Sequence, residues 1–198
     1  MNSYNISFTG AVDSGKSTLI SVLKNKILDD GKGSARQKVV KHNHELITGR
    51  TSCVSYNTTK LTNENIFTFI DLAGHEKYLK NTMYGLNLNL HAMFLIIGAN
   101  NGISIMTKEH FNLSRALHIP IIIIINKIDM CPENILNNTL NNLIKLVSSK
   151  IGGHKNLYFY QNKDLLDNSE LFVDQTIPNS PNIILNSNDT PSTNNNNL

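Results

Sequence analysis

At 198 residues the chain is long enough for one domain with a substantial core, and its net charge of +3 is too mild to argue for nucleic acid by charge alone. A hydrophobic content of 40% beside 17% charged residues fits a soluble globular protein. The two cysteines, Cys53 and Cys131, stand apart with no clustered histidines, which argues against zinc and a disulfide framework and for a reduced, cytoplasmic setting.

The first predicted element is a strand over residues 4–9, an alternating apolar run that starts almost at once and leaves no room for a signal peptide. It leads into Gly10-Ala11-Val12-Asp13-Ser14-Gly15-Lys16-Ser17-Thr18, which fits G-x-x-x-x-G-K-[ST], and a helical pattern over residues 18–28 follows. This is the setting in which that motif cradles phosphate. Gly10 and Gly15 let the backbone turn so that its N–H groups face phosphate oxygens. Lys16 brings positive charge to the outer phosphates and Ser17 offers a hydroxyl to Mg²⁺, while the new helix adds its positive end. Ser14 and Thr18 complete the candidate phosphate contacts.

Residues 29–52 form a long polar connection, a length that inside a compact domain signals function or disorder. Its basic residues Lys32, Arg36, Lys38 and Lys41, with His42 and His44, can meet RNA phosphates, although such a charge run is more often a solvated face. The connection ends in Thr48-Gly49-Arg50-Thr51-Ser52. Thr51 is the candidate second hydroxyl for Mg²⁺, with Thr48 the open alternative; closure over a γ-phosphate and release after hydrolysis would make a switch.

Residues 54–61 and 66–72 read as a hairpin around 62–65. The second strand ends in Asp71-Leu72-Ala73-Gly74-His75-Glu76. Asp71 is placed to reach Mg²⁺ through a water, Gly74 lets a backbone N–H approach the terminal phosphate, and His75 can orient the attacking water or simply cap the next helix. That helix spans residues 76–88. Near-continuous apolar strands follow at 91–98 and 119–125, with helices at 107–117 and 135–150; the run at 119–125 is too short to cross a bilayer.

Asn126-Lys127-Ile128-Asp129 follows the last of these strands, where open α/β sheets bind ligands. A carboxylate at Asp129 accepts both the ring N–H and the amino N–H of guanine, a donor pair that adenine lacks. The Asn126 amide can bond the purine and brace the phosphate loop, and the Lys127 stem can lie along the ring. Beyond residue 151 the signal weakens: 157–161 and 182–186 read as possible strands, 163–174 as irregular, and 190–198 as a disordered tail. The whole predicts an α/β fold of the P-loop NTPase type, a three-layer arrangement with a mostly parallel sheet flanked by helices, as one GTPase domain over residues 1–189.

In this order the motifs resemble translational GTPases of the elongation factor Tu and elongation factor 1-alpha class, and within it the eukaryotic GTP-binding protein 1 and 2 group. The stretches that carry the resemblance are GAVDSGKSTL (10–19), DDGKGSARQK (29–38), HELITGRTS (44–52), DLAGHEKYLK (71–80), MTKEH (106–110) and NKIDMCP (126–132). The resemblance makes His75 the counterpart of the family's catalytic histidine and Thr51 that of its Mg²⁺-binding switch threonine. Asp13 resembles a loop aspartate that orders the phosphates, and Ser187-Asn188 a last motif whose backbone contacts the guanine oxygen. It implies GTP and GDP as ligands, Mg²⁺ as cofactor, no membrane, and an activating partner, with ribosome or RNA contact through the switch region. The family's domain is followed by β-barrels, which these residues do not include, so tRNA delivery is not expected. Arg50 stands where elongation factors carry an aliphatic residue, as a charge stabiliser in cis or as a solvated side chain. Two functions from different classes follow: a GTPase that cycles slowly without its partner, and a GTP-gated binding module with negligible hydrolysis. An ATPase or small-molecule kinase is disfavoured by Asp129.

Overall fold

The computed structural model describes residues 2–40, 45, 51–60 and 65–149. The chain divides into two compact units, 1–143 and 144–198, and the sheet belongs wholly to the first. The predicted segments at 157–161, 163–174, 182–186 and 190–198 lie outside the described residues.

Five strands form one sheet in the order β2-β3-β1-β4-β5. Strand β1 (Asn2–Thr9) runs in its middle, parallel to β3 (Asn65–Asp71) on one side and to β4 (Ala92–Gly98) on the other. Ile6 faces Phe69 across the first ladder, and Phe8 faces Phe94 across the second. β5 (Ile121–Asn126) continues the parallel set beside β4. β2 (Ser55–Lys60) pairs antiparallel with β3, as the hairpin pattern requires. The run at 119–125 reads as a central strand, yet β5 is outermost among the described strands, and its Ile122 is exposed.

Phe8, Ile20, Val39, Phe69 and Ile96 make a buried cluster between β1, β3, β4 and the first helix. Phe8 sits at its centre, with ring centroids 5.3 Å from Phe69 and 5.0 Å from Phe94. Each such fully buried side chain contributes about 1.5–3 kcal/mol.

Helices deviate from the periodicity where caps decide. The first, α1 (Lys16–Asn25), begins earlier than the pattern at 18–28 and ends earlier too. Lys26 turns left-handed and gives its N–H to the Val22 carbonyl, leaving Ile27 and Leu28 exposed. A four-residue helix, α2 (Ser34–Gln37), lies inside the polar connection, where only a loop was legible. The helix expected over 76–88 is a 3₁₀ turn (Glu76–Tyr78) followed by α3 (Leu79–Leu86). α4 (Ile105–Ala116) starts two residues ahead of the predicted 107 because the Ser104 hydroxyl accepts from the Thr107 N–H at 3.1 Å. The last helix, α5 (Glu133–Ser148), starts just after Pro132. The segments leaving β1, β3 and β5 all depart from carboxyl ends of parallel strands, so they meet at one edge of the sheet.

Candidate functional site

The loop after β1 is held from three directions. Gly10 has φ 139°, and a Cβ there would collide with the Ile96 carbonyl oxygen. Its N–H donates to Nδ1 of His110, a fully buried residue of α4, at 3.1 Å, so this amide faces the protein and not a phosphate. The Asn126 amide donates to the Ser14 carbonyl at 2.9 Å, which ties the end of β5 to the same loop. Ser14 itself is buried. Lys16 donates to the carbonyls of Gly10 at 3.1 Å and Ala11 at 2.7 Å, which leaves one N–H of its ammonium. Burial lowers its pKa to about 8 against the opposing pull of Asp71 and Asp13. Gly15, left-handed and with no side-chain cap, opens α1, so the first amides of that helix have no capping partner.

Three oxygen-bearing side chains converge beside it. The Ser17 hydroxyl donates to Oδ2 of Asp71 at 2.6 Å and lies 3.1 Å from the Thr51 hydroxyl. Asp71 is buried, and burial raises its pKa while the Ser17 hydrogen bond and Lys16 oppose the rise. Its Oδ1 has no hydrogen-bond partner among the described residues. Two hydroxyls and a carboxylate with a spare buried oxygen fit a hard divalent cation such as Mg²⁺, which takes one or two carboxylates and retains waters. Among the described residues no three His, Cys, Asp or Glu side chains gather as a metal cluster, so a softer metal finds no ligand set there.

Gly74 lies against the same loop: a Cβ there would fall 2.5 Å from the Gly10 carbonyl oxygen and 2.6 Å from the Lys16 ammonium. His75 caps the following 3₁₀ turn, its Nδ1 accepting from the Lys77 N–H at 3.1 Å. That bond assigns the proton of the neutral ring to Nε2. Val12, Asp13, Gly15, Thr18 and Lys127 line one cavity together with Lys16, Ser17, Thr51, Gly74 and His75. Gly10, Ser14 and Asn126 stand behind that surface as supports, and Asp71 reaches Ser17 from below it. Asp129 is exposed in a 3₁₀ turn beyond Lys127 and has no hydrogen bond among the described residues. Thr48, Arg50, Ser187 and Asn188 lie outside the described residues.

Several residues that sequence reasoning passed over complete the site. Arg36, read as part of a basic face, lines the cavity. Glu45 is buried, and its Oε1 accepts from the Ser52 N–H at 2.7 Å and the Ser52 hydroxyl at 2.9 Å, just past Thr51. Asn81 donates to the Ser52 carbonyl at 3.0 Å, and the buried Thr82 donates to the Ala73 carbonyl at 2.8 Å. His110, Glu45, Asn81 and Thr82 carry no local signature, because their partners lie between 7 and 100 residues away along the chain.

The model of the elongation factor Tu GTP binding domain matches residues 1–185. GTP-binding protein 1 of Xenopus laevis is 44% identical over 184 residues, covering 80% of this chain and 28% of that protein. Elongation factor 1-alpha of Methanosphaera stadtmanae is 34% identical over 155 residues, covering 73% of this chain and 37% of that protein. The chain thus spans well under half the length of these curated relatives. Among solved structures, a bacterial selenocysteine-specific elongation factor EF-Sec superposes with a TM-score of 0.63 at 24% identity, over 76% of this chain and 24% of that one, a likeness of fold.

Proposed function

The chain belongs to the elongation factor Tu GTP binding domain family, and on that premise we propose that it is a Mg²⁺-dependent GTPase that converts GTP to GDP and phosphate. The observation that carries this reading is the meeting of Lys16, Ser17, Thr51, Gly74 and His75 in one cavity, with Asp71 bonded to Ser17 at its base. Lys16 keeps one N–H for an outer phosphate oxygen, and the uncapped amides of α1 face the same anion. Ser17, Thr51 and Asp71 would hold the ion, which supplies charge neutralisation on the β- and γ-phosphate oxygens. His75 presents an N–H at Nε2, so it orients the attacking water by donating to the water's oxygen and does not serve as its base in this state. Asn126 braces the phosphate loop, Lys127 borders the cavity, and the free carboxylate of Asp129 pairs with guanine. Thr51 and Gly74 sit on segments that meet at the phosphate end, and the presence or loss of the γ-phosphate sets their position.

Turnover of the isolated chain is slow, and an activating partner completes the site. The exposed Lys32 and Lys38 beside it offer charge to an RNA-bearing partner such as the ribosome. The family relationship also supports a cytoplasmic setting, and among the described residues no helix is long and apolar enough to cross a membrane.

Single-turnover hydrolysis of GTP and ATP, beside equilibrium titrations of each, tests the proposal. GTP is expected to bind far more tightly than ATP, and His75→Ala to slow hydrolysis by about 100-fold with little change in GTP affinity. Equal affinity for ATP would remove the role of Asp129, and undiminished hydrolysis in His75→Ala would remove that of His75. Tight GTP binding with no turnover at all would instead establish a GTP-gated binding module.

A further inference from the structure

Arg36 stands apart from the other basic residues of its segment. Lys32 and Lys38 are exposed, whereas Arg36 is half-buried and lines the cavity that holds Lys16, Thr51 and His75. Its guanidinium has no hydrogen-bond or ion-pair partner among the described residues. A short, tightly built segment places it there. Asp29 accepts from the N–H groups of Gly31 at 3.1 Å and Ala35 at 2.9 Å, and Asp30 from those of Lys32 at 2.9 Å and Ser34 at 3.3 Å. Gly31 and Gly33 take the left-handed conformations that this double turn requires. On the inner side, Ala35 and Val39 are buried four residues apart, and Val39 belongs to the core cluster around Phe8. α2 is therefore fixed at its start by two carboxylates and beneath by the core, with Arg36 turned to the cavity.

The charge arrangement agrees with that placement. Arg36 lines the cavity, and its charge makes the buried Lys16 ammonium harder to keep and the Asp71 carboxylate easier to keep. Two cations brought to one cavity repel, and an anion between them reverses the sign of that interaction. A planar guanidinium fork matches a phosphate's oxygens in pairs.

We propose that Arg36 binds the terminal phosphate of the nucleoside triphosphate and makes the site selective for GTP over GDP. This rests on the guanine-nucleotide reading of the site. The test is equilibrium binding of GDP and of the non-hydrolysable β,γ-imido analogue of GTP to the full 198-residue chain and to its Arg36→Ala and Arg36→Lys variants. Arg36→Ala is expected to weaken the triphosphate analogue by about 10- to 100-fold while GDP affinity holds, the range for hydrogen bonds to a charged group. Arg36→Lys is expected to recover part of that loss, because it restores charge without the fork. Asp29→Ala, which keeps the Arg36 guanidinium in the chain but removes two of the bonds that hold its segment in position, should reduce the discrimination in the same direction. Retained GDP affinity shows that each variant is folded. An equal loss for both nucleotides, or no loss for either, would overturn the proposal. A parent chain that binds neither nucleotide would overturn the underlying reading first, and the role of Arg36 with it.

Discussion

The loop at residues 10–18 and the segments that face it, residues 51–53 and 71–76, border one cavity but are held by different means. The loop is anchored by the helix layer and the sheet: buried His110 of α4 takes the Gly10 amide, and Asn126 at the end of β5 donates to the Ser14 carbonyl. Of the facing segments, the second begins on β3, with the Leu72 N–H donating to the Phe8 carbonyl at 3.1 Å, and beyond that point the hold comes from side chains of one eight-residue helix and one glutamate: Asn81 and Glu45 on Ser52, Thr82 on Ala73. The first arrangement preorganises the loop, since moving it would disturb the core. The second leaves Thr51, Gly74 and His75 dependent on a few side-chain bonds, and segments that change state are drawn from such less strongly held parts. The proposed function thus assigns phosphate grip to a stiff half and phosphate sensing to a conditional half of the same site.

The largest effect should come from the stiff half. Lys16→Met is expected to reduce GTP affinity by roughly 100- to 1000-fold, as expected for loss of one partner from a buried charge contact. Without nucleotide the same variant should change stability less than it changes affinity, because relief of an ammonium that burial disfavours is set against the loss of the donor to the Gly10 and Ala11 carbonyls. Titration and urea unfolding of the same samples check both parts. Acid should strike the stiff half next. Burial, with a smaller push from Lys16, lowers the His110 pKa to about 4 from its usual 6.5. The unfolded chain therefore binds more protons than the folded one between those values, and stability falls as pH drops through that window. The loss attributable to His110 at the acid end is on the order of 3 kcal/mol. Urea midpoints at pH 7, 5.5 and 4.5 would show this slope, and His110→Gln should flatten it.

The conditional half should respond more gently. Thr82→Val leaves the Ala73 carbonyl short of its donor in a buried place, at a cost of about 1–3 kcal/mol. Asn81→Ala acts at an exposed side chain and should cost about 1 kcal/mol or less. Denaturation measurements that reversed this order would break the distinction between a buried and a surface tether.

What could be read from the sequence depends on the range of the interactions involved. The cradle, the Asp71–Gly74 turn and the Asn126–Asp129 motif are legible because each packs its chemistry into adjacent residues at a strand's end. The parallel strands declare themselves by apolar runs. Arg36 was hidden among Lys32, Lys38 and Lys41: composition marks a basic stretch but not which member turns inward, and only the burial of Ala35 and Val39 decides that. His110 was hidden because its partner, the Gly10 amide, lies 100 residues away. Ser104 left a readable capping signal ahead of α4, and the apolar period obscured it.

Asn81 and Thr82 are neighbours on α3, separated by about 100° around its axis and about 1.5 Å along it. In mechanical terms the helix is a crank with two pins, one engaging the backbone beside Thr51 and the other the backbone beside Gly74. A rotation of the crank about its own axis, or a slide along that axis, moves both pins. The two segments are therefore linked through one short helix, and a turn of α3 about its axis or a slide along it displaces the backbone beside Thr51 and the backbone beside Gly74 together.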